Sequence, residues 1–235
     1  MPPTLADLSW PEVRDRAAGG AVLAVPLGST EQHGPHLPLS TDSDIAAALC
    51  RGLASARPDV LIAPGVPYGS SGEHAGFAGT LSIGQAALET VVVELGRSAG
   101  ETFEHVLFVS AHGGNASAVA RAVTLLRRES RDVEVFFPRW DGDAHAGRTE
   151  TSLQLTLRPE AVTMGLAAAG EARPIAEILP ELQAGGVRAV SPNGVLGDPT
   201  GSSAAEGQRV LDGLVADLVA TMDAWRGPVD REPAL

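Results

Sequence analysis

The sequence predicts a three-layer α/β/α fold, in which helices cover both faces of a mostly parallel β-sheet. Short continuous apolar runs, typical of strands buried on both faces, alternate along the chain with longer segments of helical periodicity. The 235 residues are 44% apolar, which suffices for a sizeable core. Because no repeat, low-complexity linker or block of like charge divides the chain, we expect a single domain over residues 1–235.

The first half of the chain is expected to form three helices and two strands. Ser9 and Glu12 have the spacing of a capping box, and Pro11 suits a first helical turn, so a short helix should begin here. Apolar runs predict strands at 21–25 and 60–63, and helical spacing predicts helices at 43–56 and 83–98. The Gly-rich stretch 65–79 is expected to be a long loop, and loops of this length are usually functional or disordered.

The second half of the chain is expected to add two strands and three helices. They are, in order, strand 105–110, a helix capped by Asn115 or Ser117, strand 133–137, helix 150–157, and a last amphipathic helix capped at Ser203 and running to Trp225. Residues 174–201 are rich in Gly and Pro, and their pattern favours no element.

Charge and composition exclude several classes of function. The formal net charge is −12, and all 17 basic residues are arginine, so the chain has no Schiff-base lysine, lysine base or P-loop lysine. With this acidic balance and only nine aromatic residues, a nucleic-acid surface is not expected. Cys50 is the only cysteine, which excludes an intrachain disulfide and a thiolate zinc cluster. Its apolar neighbours indicate a thiol packed in a helical core.

The sequence carries no signal for a membrane or for export. No stretch approaches the roughly 20 consecutive apolar residues that a membrane-spanning helix needs. The N-terminus also lacks a basic region followed by a long apolar run. We therefore expect a cytoplasmic protein that does not bind a membrane.

Residues suited to metal binding gather directly after three of the predicted strands. They are Glu31, His33 and Asp42 after the first strand, His112 among glycines after the strand at 105–110, and His145 and Glu150 after the strand at 133–137. Because the carboxyl ends of parallel strands meet at one edge of a sheet, these side chains should converge. A lone Glu-x-His pair is usually a surface accident, but three converging clusters predict a site for zinc, iron or manganese.

The other three histidines have less defined roles. His74 lies in the long Gly-rich loop and is either a substrate contact or simply solvated. His36 lies in a loop that two prolines stiffen, and its role stays open. His105 begins a buried strand, and we interpret it as a structural residue that Glu101, Glu104 or a neighbouring turn satisfies.

Three motifs resemble those of the creatininase family of metal-dependent amidohydrolases. They are Gly28-Ser-Thr-Glu31-Gln-His33-Gly-Pro-His36-Leu-Pro-Leu39 with Asp42, then His112-Gly-Gly-Asn115, then His145 to Ser152. The similarity extends from Trp10 into the last helix and so covers nearly the whole chain. Within the family, the chain is most similar to members that trim a short modified peptide.

The resemblance implies a creatininase-like fold, a hexameric assembly and a set of site residues. The implied metal ligands are Glu31, His33, Asp42 and His112, with Asp42 in the position that bridges two ions, and His145 is the implied catalytic histidine. Either one or two divalent ions per chain are compatible with this set.

The sequence departs from the family pattern at two positions. Creatininases carry a glutamate ligand two residues after the histidine that matches His112, and here that position is Gly114. Either Glu150 supplies the missing carboxylate, or the second ion is weak or absent. Creatininases also carry a tryptophan where Asp141 stands, within a longer lid, whereas the connection from Trp140 is short here. The shorter lid suggests an open site, suited to the end of a peptide.

We therefore expect a metal-dependent peptidase acting on a short modified peptide. His145, with Glu150, would handle the protons. The candidate substrate-side residues, which include oxyanion donors, are His36, His74, Thr80, Gly113, Gly114, Asn115 and Trp140.

Two alternatives remain at this stage. One is a small-molecule amidohydrolase acting on creatinine, a formylaminopyrimidine nucleotide or a cyclic ketone. A nucleotide phosphate would favour a cluster of arginines, and we expect Arg148 to be the only arginine close to the motifs. The other is a non-catalytic scaffold subunit with the same fold, which would usually have lost ligands that this chain retains.

Overall fold

A parallel sheet of four strands forms the centre of the protein, a computed structural model of which describes residues 4–226. The strands are β1 Val22–Leu27, β2 Val60–Ile62, β3 His105–Ser110 and β4 Asp132–Phe136. Their order across the sheet is β2-β1-β3-β4, and every pairing is parallel. Val22 is in register with both Val60 and His105, and His105 is in register with Asp132. All four strands therefore end at one edge of the sheet.

Seven helices and several short 3-10 turns connect and cover the strands in the described residues. The helices are α1 Trp10–Ala18, α2 Thr41–Ala56, α3 Gly84–Ala99, α4 Ala116–Arg128, α5 Arg148–Leu157, α6 Ile175–Val190 and α7 Ala204–Arg226. The 3-10 turns are Leu5–Asp7, Gly72–His74, Gly113–Asn115, Pro159–Ala161 and Met164–Leu166.

The core is divided between the two faces of the sheet, because side chains alternate along each strand. Val22 and Ala24 of β1 pack into a core with α2, α5 and α7, whereas Leu23 and Val25 pack into a core with α3 and α4, edged by α1. This arrangement confirms the predicted three-layer α/β/α class. Cys50 of α2 is fully buried in the first of these cores, and burial raises the pKa of its thiol to about 12.

Most predicted elements are present, with ends displaced by a few residues. The strand at 105–110 matches β3, and the capping box of Ser9 and Glu12 begins α1. Two helices begin earlier than predicted, α2 at Thr41 and α5 at Arg148. This shift matters for the site, because it places Asp42 and Glu150 in first helical turns.

The segment without a sequence assignment, 174–201, contains α6. This helix contains Pro180 and is kinked at Gly186, which has a φ of 70°. These two residues obscure the helical pattern. Ile178 of α6 is fully buried, and the helix packs on the turn Gly72–His74.

His105 has a different partner from the one expected. Its Nδ1 lies 2.8 Å from Oδ2 of Asp132, the neighbour in register on β4, rather than bonding Glu101 or Glu104. The indole N–H of Trp225 donates to the other oxygen of Asp132 at 2.7 Å, and the Trp225 ring lies edge-on to His105. His105 therefore ties α7 to the sheet.

No helix within residues 4–226 is both long and apolar enough to cross a membrane.

Candidate metal centre

The chemistry-bearing side chains converge at the carboxyl edge of the sheet, where the loops after all four strands meet. Glu31 and His33 follow β1, His74 follows β2, His112 follows β3 and His145 follows β4, while Asp42 and Glu150 lie in the first turns of α2 and α5. All seven side chains are buried. Such an edge is where open α/β sheets place their ligand sites.

Asp42 lies at the centre of the group and faces two histidines. Its Oδ2 is 3.3 Å from Nδ1 of His112, and its Oδ1 is 3.3 Å from Nε2 of His33. Glu31 lies on the first side, with Oε1 3.2 Å from Nδ1 of His112. Glu150 lies on the other side, with Oε2 3.8 Å from Nε2 of His33. Three groups of three side chains could each hold a metal ion: Glu31, Asp42 and His112; His33, Asp42 and Glu150; and Glu31, His33 and His145. The first two groups, called the two triads below, share the carboxylate of Asp42.

The carboxylates of this cluster stabilise positive charge beside them. Although burial disfavours a charged ring, Asp42 and Glu150 raise the pKa of His33 to about 10. Burial also opposes charge on His112, but the carboxylates of Asp42 and Glu31 beside its ring hold its pKa well above the ordinary value. The two rings in turn outweigh burial and hold the pKa of Asp42 well below its usual range. Positive charge is thus favoured on both sides of Asp42.

Burial drives other groups of the site toward their neutral forms. It raises the pKa of Glu150 to about 7. Burial, with the charge of His33, lowers the pKa of His145 well below its ordinary value. The same two causes lower the pKa of His74 to about 3. His145 and His74 are therefore neutral imidazoles at neutral pH.

The donor set fits a divalent metal. Both carboxylate oxygens of Glu31 and Nε2 of His33 are buried without a hydrogen-bond partner among the described residues. A buried polar atom without a partner is costly, and a cation beside these atoms would remove that cost. Imidazole nitrogens and carboxylate oxygens are ligands shared by zinc, iron and manganese.

A surrounding set of hydrogen bonds holds these side chains in place. Ser29 donates to Oδ2 of Asp42 at 2.5 Å, and the backbone N–H of Ala146 donates to Oε2 of Glu150 at 2.6 Å. Nε2 of His112 lies 2.9 Å from the backbone oxygen of Ser70, which leaves Nδ1 free to face the carboxylates. Partners of this kind orient ligands in metal sites.

A cavity of about 700 Å³ opens above the cluster. Glu31, Asp42, His112, His145 and Glu150 contribute to its lining. Its remaining walls come from Ala111 and Gly113, from the segment 138–144 that contains Trp140, from 172–175 at the start of α6, and from Leu196 and Gly197. Residues of both triads therefore line a single cavity.

Five of the seven predicted substrate-side residues lie outside the lining of this cavity. His36 Nε2 is 2.9 Å from the Thr151 hydroxyl, and the Thr80 hydroxyl accepts the backbone N–H of Gln32 at 3.1 Å. Gly114 accepts a hydrogen bond from Gln85 at 2.6 Å. The other two are His74, buried against Glu31 with Nε2 3.4 Å from Oε1, and Asn115.

The side chain of Asn115 connects loops and does not cap a helix. It is the residue before α4, but its side chain makes no capping bond. Its amide donates to the backbone oxygen of Gly28 at 3.0 Å and accepts the N–H of Ser70 at 2.9 Å. Asn115 therefore links the loops that follow β1, β2 and β3.

Sequence reasoning also missed residues near the cavity. Arg148 pairs with Glu206 at 2.9 Å, whereas Arg139 and Arg173 line the cavity. Arginine is therefore scarce near the motifs in the sequence, but two arginines lie beside the site in the folded chain. Gln32 was missed as well, because nothing in its local sequence distinguishes it from any other polar loop residue.

Comparison with protein-family models matches residues 6–222 to the creatininase family, described as creatinine amidohydrolase. The chain belongs to the creatininase family. It is 48% identical over 217 residues to the mycofactocin precursor peptide peptidase of Mycobacterium ulcerans, over 86% of this chain and 85% of that protein. It is 49% identical over 213 residues to the protein of the same name from Mycolicibacterium smegmatis, over 87% of this chain and 85% of that protein.

Solved structures of the creatininase family share the fold. A crystal structure of creatinine amidohydrolase (creatininase) superposes with a TM-score of 0.83 at 24% sequence identity, over 96% of this chain and 98% of that one. Two further creatininase structures are described as a mutant of Zn-Zn type and as the Mn form. Family and fold therefore confirm the resemblance inferred from the three motifs, and the chain is a creatininase-family hydrolase.

Proposed function

We propose that the chain is a metal-dependent peptidase that cleaves the modified mycofactocin precursor peptide and releases its C-terminal Val-Tyr-derived unit. The observation that carries this proposal is the 48–49% identity to two relatives named as mycofactocin precursor peptide peptidases. The cavity supports it, because the two triads lie at a recess of about 700 Å³, which can admit the end of a peptide.

We further propose two metal ions per chain. Glu31, Asp42 and His112 would hold one, and His33, Asp42 and Glu150 the other, with Asp42 common to both sets. In this assignment Glu150 supplies the carboxylate that Gly114 lacks. Zinc, iron or manganese suits these ligands, and the Zn-Zn and Mn creatininase structures favour zinc or manganese.

The roles of the protein groups follow from their positions. Divalent metal in such a site supplies Lewis acidity, which makes water nucleophilic near neutral pH and polarises an amide carbonyl. His145 lines the cavity with Nδ1 4.0 Å from Oε1 of Glu31, and as a neutral imidazole it can accept a proton. It would then deliver that proton to the departing nitrogen, because an amide anion is a poor leaving group.

The oxyanion would be stabilised from the side of β3. Gly113 lines the cavity beside His112, whereas Gly114, Thr80 and Asn115 do not, so its backbone N–H is the donor that we assign to the oxyanion. The side chains of Thr80 and Asn115 bond to other loops instead.

The substrate assignment can be tested with the decarboxylated, cyclised precursor peptide. Zinc-loaded or manganese-loaded enzyme should release the C-terminal unit, detected by mass spectrometry, and His145→Ala should lower the rate by about 10²–10⁴-fold. An intact precursor, together with hydrolysis of creatinine or another small cyclic amide, would overturn the peptidase proposal. A protein that binds no metal and cleaves neither substrate would point to the scaffold alternative.

One observation favours a second candidate function. Arg139 and Arg173 line the cavity, and arginine is well suited to bind phosphate, so a formylaminopyrimidine nucleotide is a possible alternative substrate. Arg173 is already paired with Glu171 at 2.8 Å and with Glu181 at 3.0 Å, which weakens its case as a phosphate ligand. Assaying deformylation of this nucleotide beside the peptide separates the two.

We also propose that the chain forms a homo-oligomer, and the resemblance to the family suggests a hexamer. We place this oligomer in the cytoplasm. Leu166, Ile175 and Leu179 expose 54%, 47% and 45% of their surface. A neighbouring chain could cover these apolar side chains. Light scattering coupled to size-exclusion chromatography should give six times the chain mass of 24.1 kDa.

A further inference from the structure

Gln32 lies between two proposed ligands in sequence, and its buried side chain reaches several groups of the site. Oε1 accepts the backbone N–H of Gly34 at 2.8 Å. Nε2 donates to the backbone oxygen of Gly194 at 3.1 Å and lies 2.8 Å from Nδ1 of His74. The two backbone partners fix the orientation of the amide, because a flipped amide would place oxygen against oxygen at Gly194 and donor against donor at Gly34.

The fixed amide determines which nitrogen of His74 carries hydrogen. Nε2 of Gln32 has two hydrogens and no acceptor capacity, so Nδ1 of His74 must accept from it. A neutral imidazole has one hydrogen, which in His74 must then be on Nε2. That atom lies 3.4 Å from Oε1 of Glu31, so His74 directs an N–H toward a proposed metal ligand.

The backbone of Gln32 determines the tautomer of His145. Nε2 of His145 lies 2.9 Å from the backbone oxygen of Gln32, an acceptor only, so this nitrogen must donate. The same nitrogen lies 3.1 Å from the Gln32 amide, whose two hydrogens are already directed to His74 and Gly194. A neutral His145 ring then has its lone pair on Nδ1, which lies 4.0 Å from Oε1 of Glu31.

The loop that begins at Gly194 holds this arrangement from behind. Gly194 has a φ of +80°, and a Cβ there would overlap Oε1 of Gln32, so only glycine fits. Two residues later, the N–H of Leu196 donates to the backbone oxygen of His145 at 2.8 Å, and its carbonyl accepts the N–H of His145 at 3.2 Å. One loop thus fixes both the Gln32 amide and the His145 backbone.

We propose that Gln32 is a positioning residue, which holds His74 and His145 in their Nε2–H tautomers so that a lone pair of His145 and an N–H of His74 face the metal centre. Geometry assigns the nitrogen that carries hydrogen in each neutral ring, whereas the effect of this assignment on turnover rests on the proposed function. Both effects can be measured separately.

The tautomers can be read by solid-state ¹⁵N NMR of zinc-loaded protein labelled at histidine, with signals assigned by His74→Asn and His145→Asn. Wild type should show Nε2–H for both rings. Gln32→Glu keeps the shape but replaces the donor with an acceptor, so His74 should change to the Nδ1–H tautomer. Gly194→Ala should disturb the same signal by displacing the Gln32 amide. Gln154→Met, which removes a buried amide bonded to Thr41 and Asp44, should leave both tautomers unchanged.

Turnover gives an independent readout. Gln32→Glu should lower kcat by about 10- to 100-fold, with KM and zinc content changed far less. An Nδ1–H tautomer for either ring in wild type would overturn the proposal, as would a Gln32→Glu protein with an unchanged His74 signal. Because the NMR measurement needs no substrate, failure of the peptidase assay would leave the tautomer assignment intact. If Gln32→Glu does not fold, the wild-type spectrum and Gly194→Ala still decide it.

Discussion

Glu150 provides the sharpest test of the two-ion proposal, because it is the proposed ligand that would replace the carboxylate missing at Gly114. Glu150→Gln should reduce the bound zinc from two ions to one per chain, leaving the triad of Glu31, Asp42 and His112 complete. Folding should be little affected, since the oxygen of glutamine can still accept the Ala146 N–H that now bonds Glu150 at 2.6 Å.

The expected loss of zinc affinity can be estimated from the number of protein ligands that remain. Loss of a residue that merely orients a ligand weakens metal sites about 10- to 100-fold, so removal of one of three protein ligands should cost at least about 100-fold. With free zinc at about 100 times the wild-type Kd, that site contributes about 2.7 kcal/mol to stability, and about 0.4 kcal/mol after the substitution. The zinc-induced rise in Tm should therefore shrink by about 5–9 °C for a chain of this size.

Two measurements check this expectation: zinc per chain by mass spectrometry of the metal, and Tm with and without zinc. Glu73→Gln is the matched control, because Glu73 is another carboxylate near the cluster, with Oε1 3.6 Å from His112 Nε2. It belongs to neither triad, so Glu73→Gln should keep both ions. Two ions retained by Glu150→Gln, or one lost from Glu73→Gln, would refute the assignment of Glu150.

Three further expectations concern other parts of the chain. Gly114→Ala should weaken zinc binding at least about tenfold in an equilibrium titration, because its Cβ would meet Nε2 of His112. Gly113→Ala is the control and should leave zinc binding unchanged, because the space around its Cβ is open. Cys50, with a buried thiol whose pKa is about 12, should resist a disulfide reagent at pH 8 until the protein is unfolded in urea; rapid reaction in the native state would contradict this. Leu218→Ala should lower the free energy of unfolding by about 2–5 kcal/mol in urea titration without changing the zinc content. A smaller loss would mean that the core collapses into the space left by the removed leucine side chain.

The strands were predictable because burial on both faces leaves a local signature. β3 is apolar from Val106 to Val109, and its neighbours could be found in the same way. The helix α6 was not predictable, because its pattern is interrupted by Pro180 and by the kink at Gly186, and what stabilises it is contact with a distant turn. The hydrophobic pattern of a segment therefore reveals a helix or strand only where the residues of that segment themselves show which face is buried.

The same distinction separates the parts of the site. Glu31, His33 and Asp42 lie in one short stretch, and parallel topology alone brings His112 beside them. Gln32 is adjacent to two of these residues, yet its partners lie 42, 113 and 162 residues further along the chain. The positioning role proposed for Gln32 depends on the places of three separate loops in the folded chain. Residue spacing within the motif carries no information on those places.

The proposed use of Glu150 in place of a ligand at position 114 has a structural reason. A side chain at position 114 would begin against Oε1 of Glu73, the Ser70 oxygen and Nε2 of His112. The last two atoms bond each other at 2.9 Å, so a carboxylate could not start there without breaking that contact. Glu150 approaches instead from the first turn of α5, just as Asp42 approaches from the first turn of α2. A helix N-terminus stabilises a nearby carboxylate by its dipole and its free N–H groups. Two helix starts therefore supply the negative charge that the short loop after β3 cannot carry.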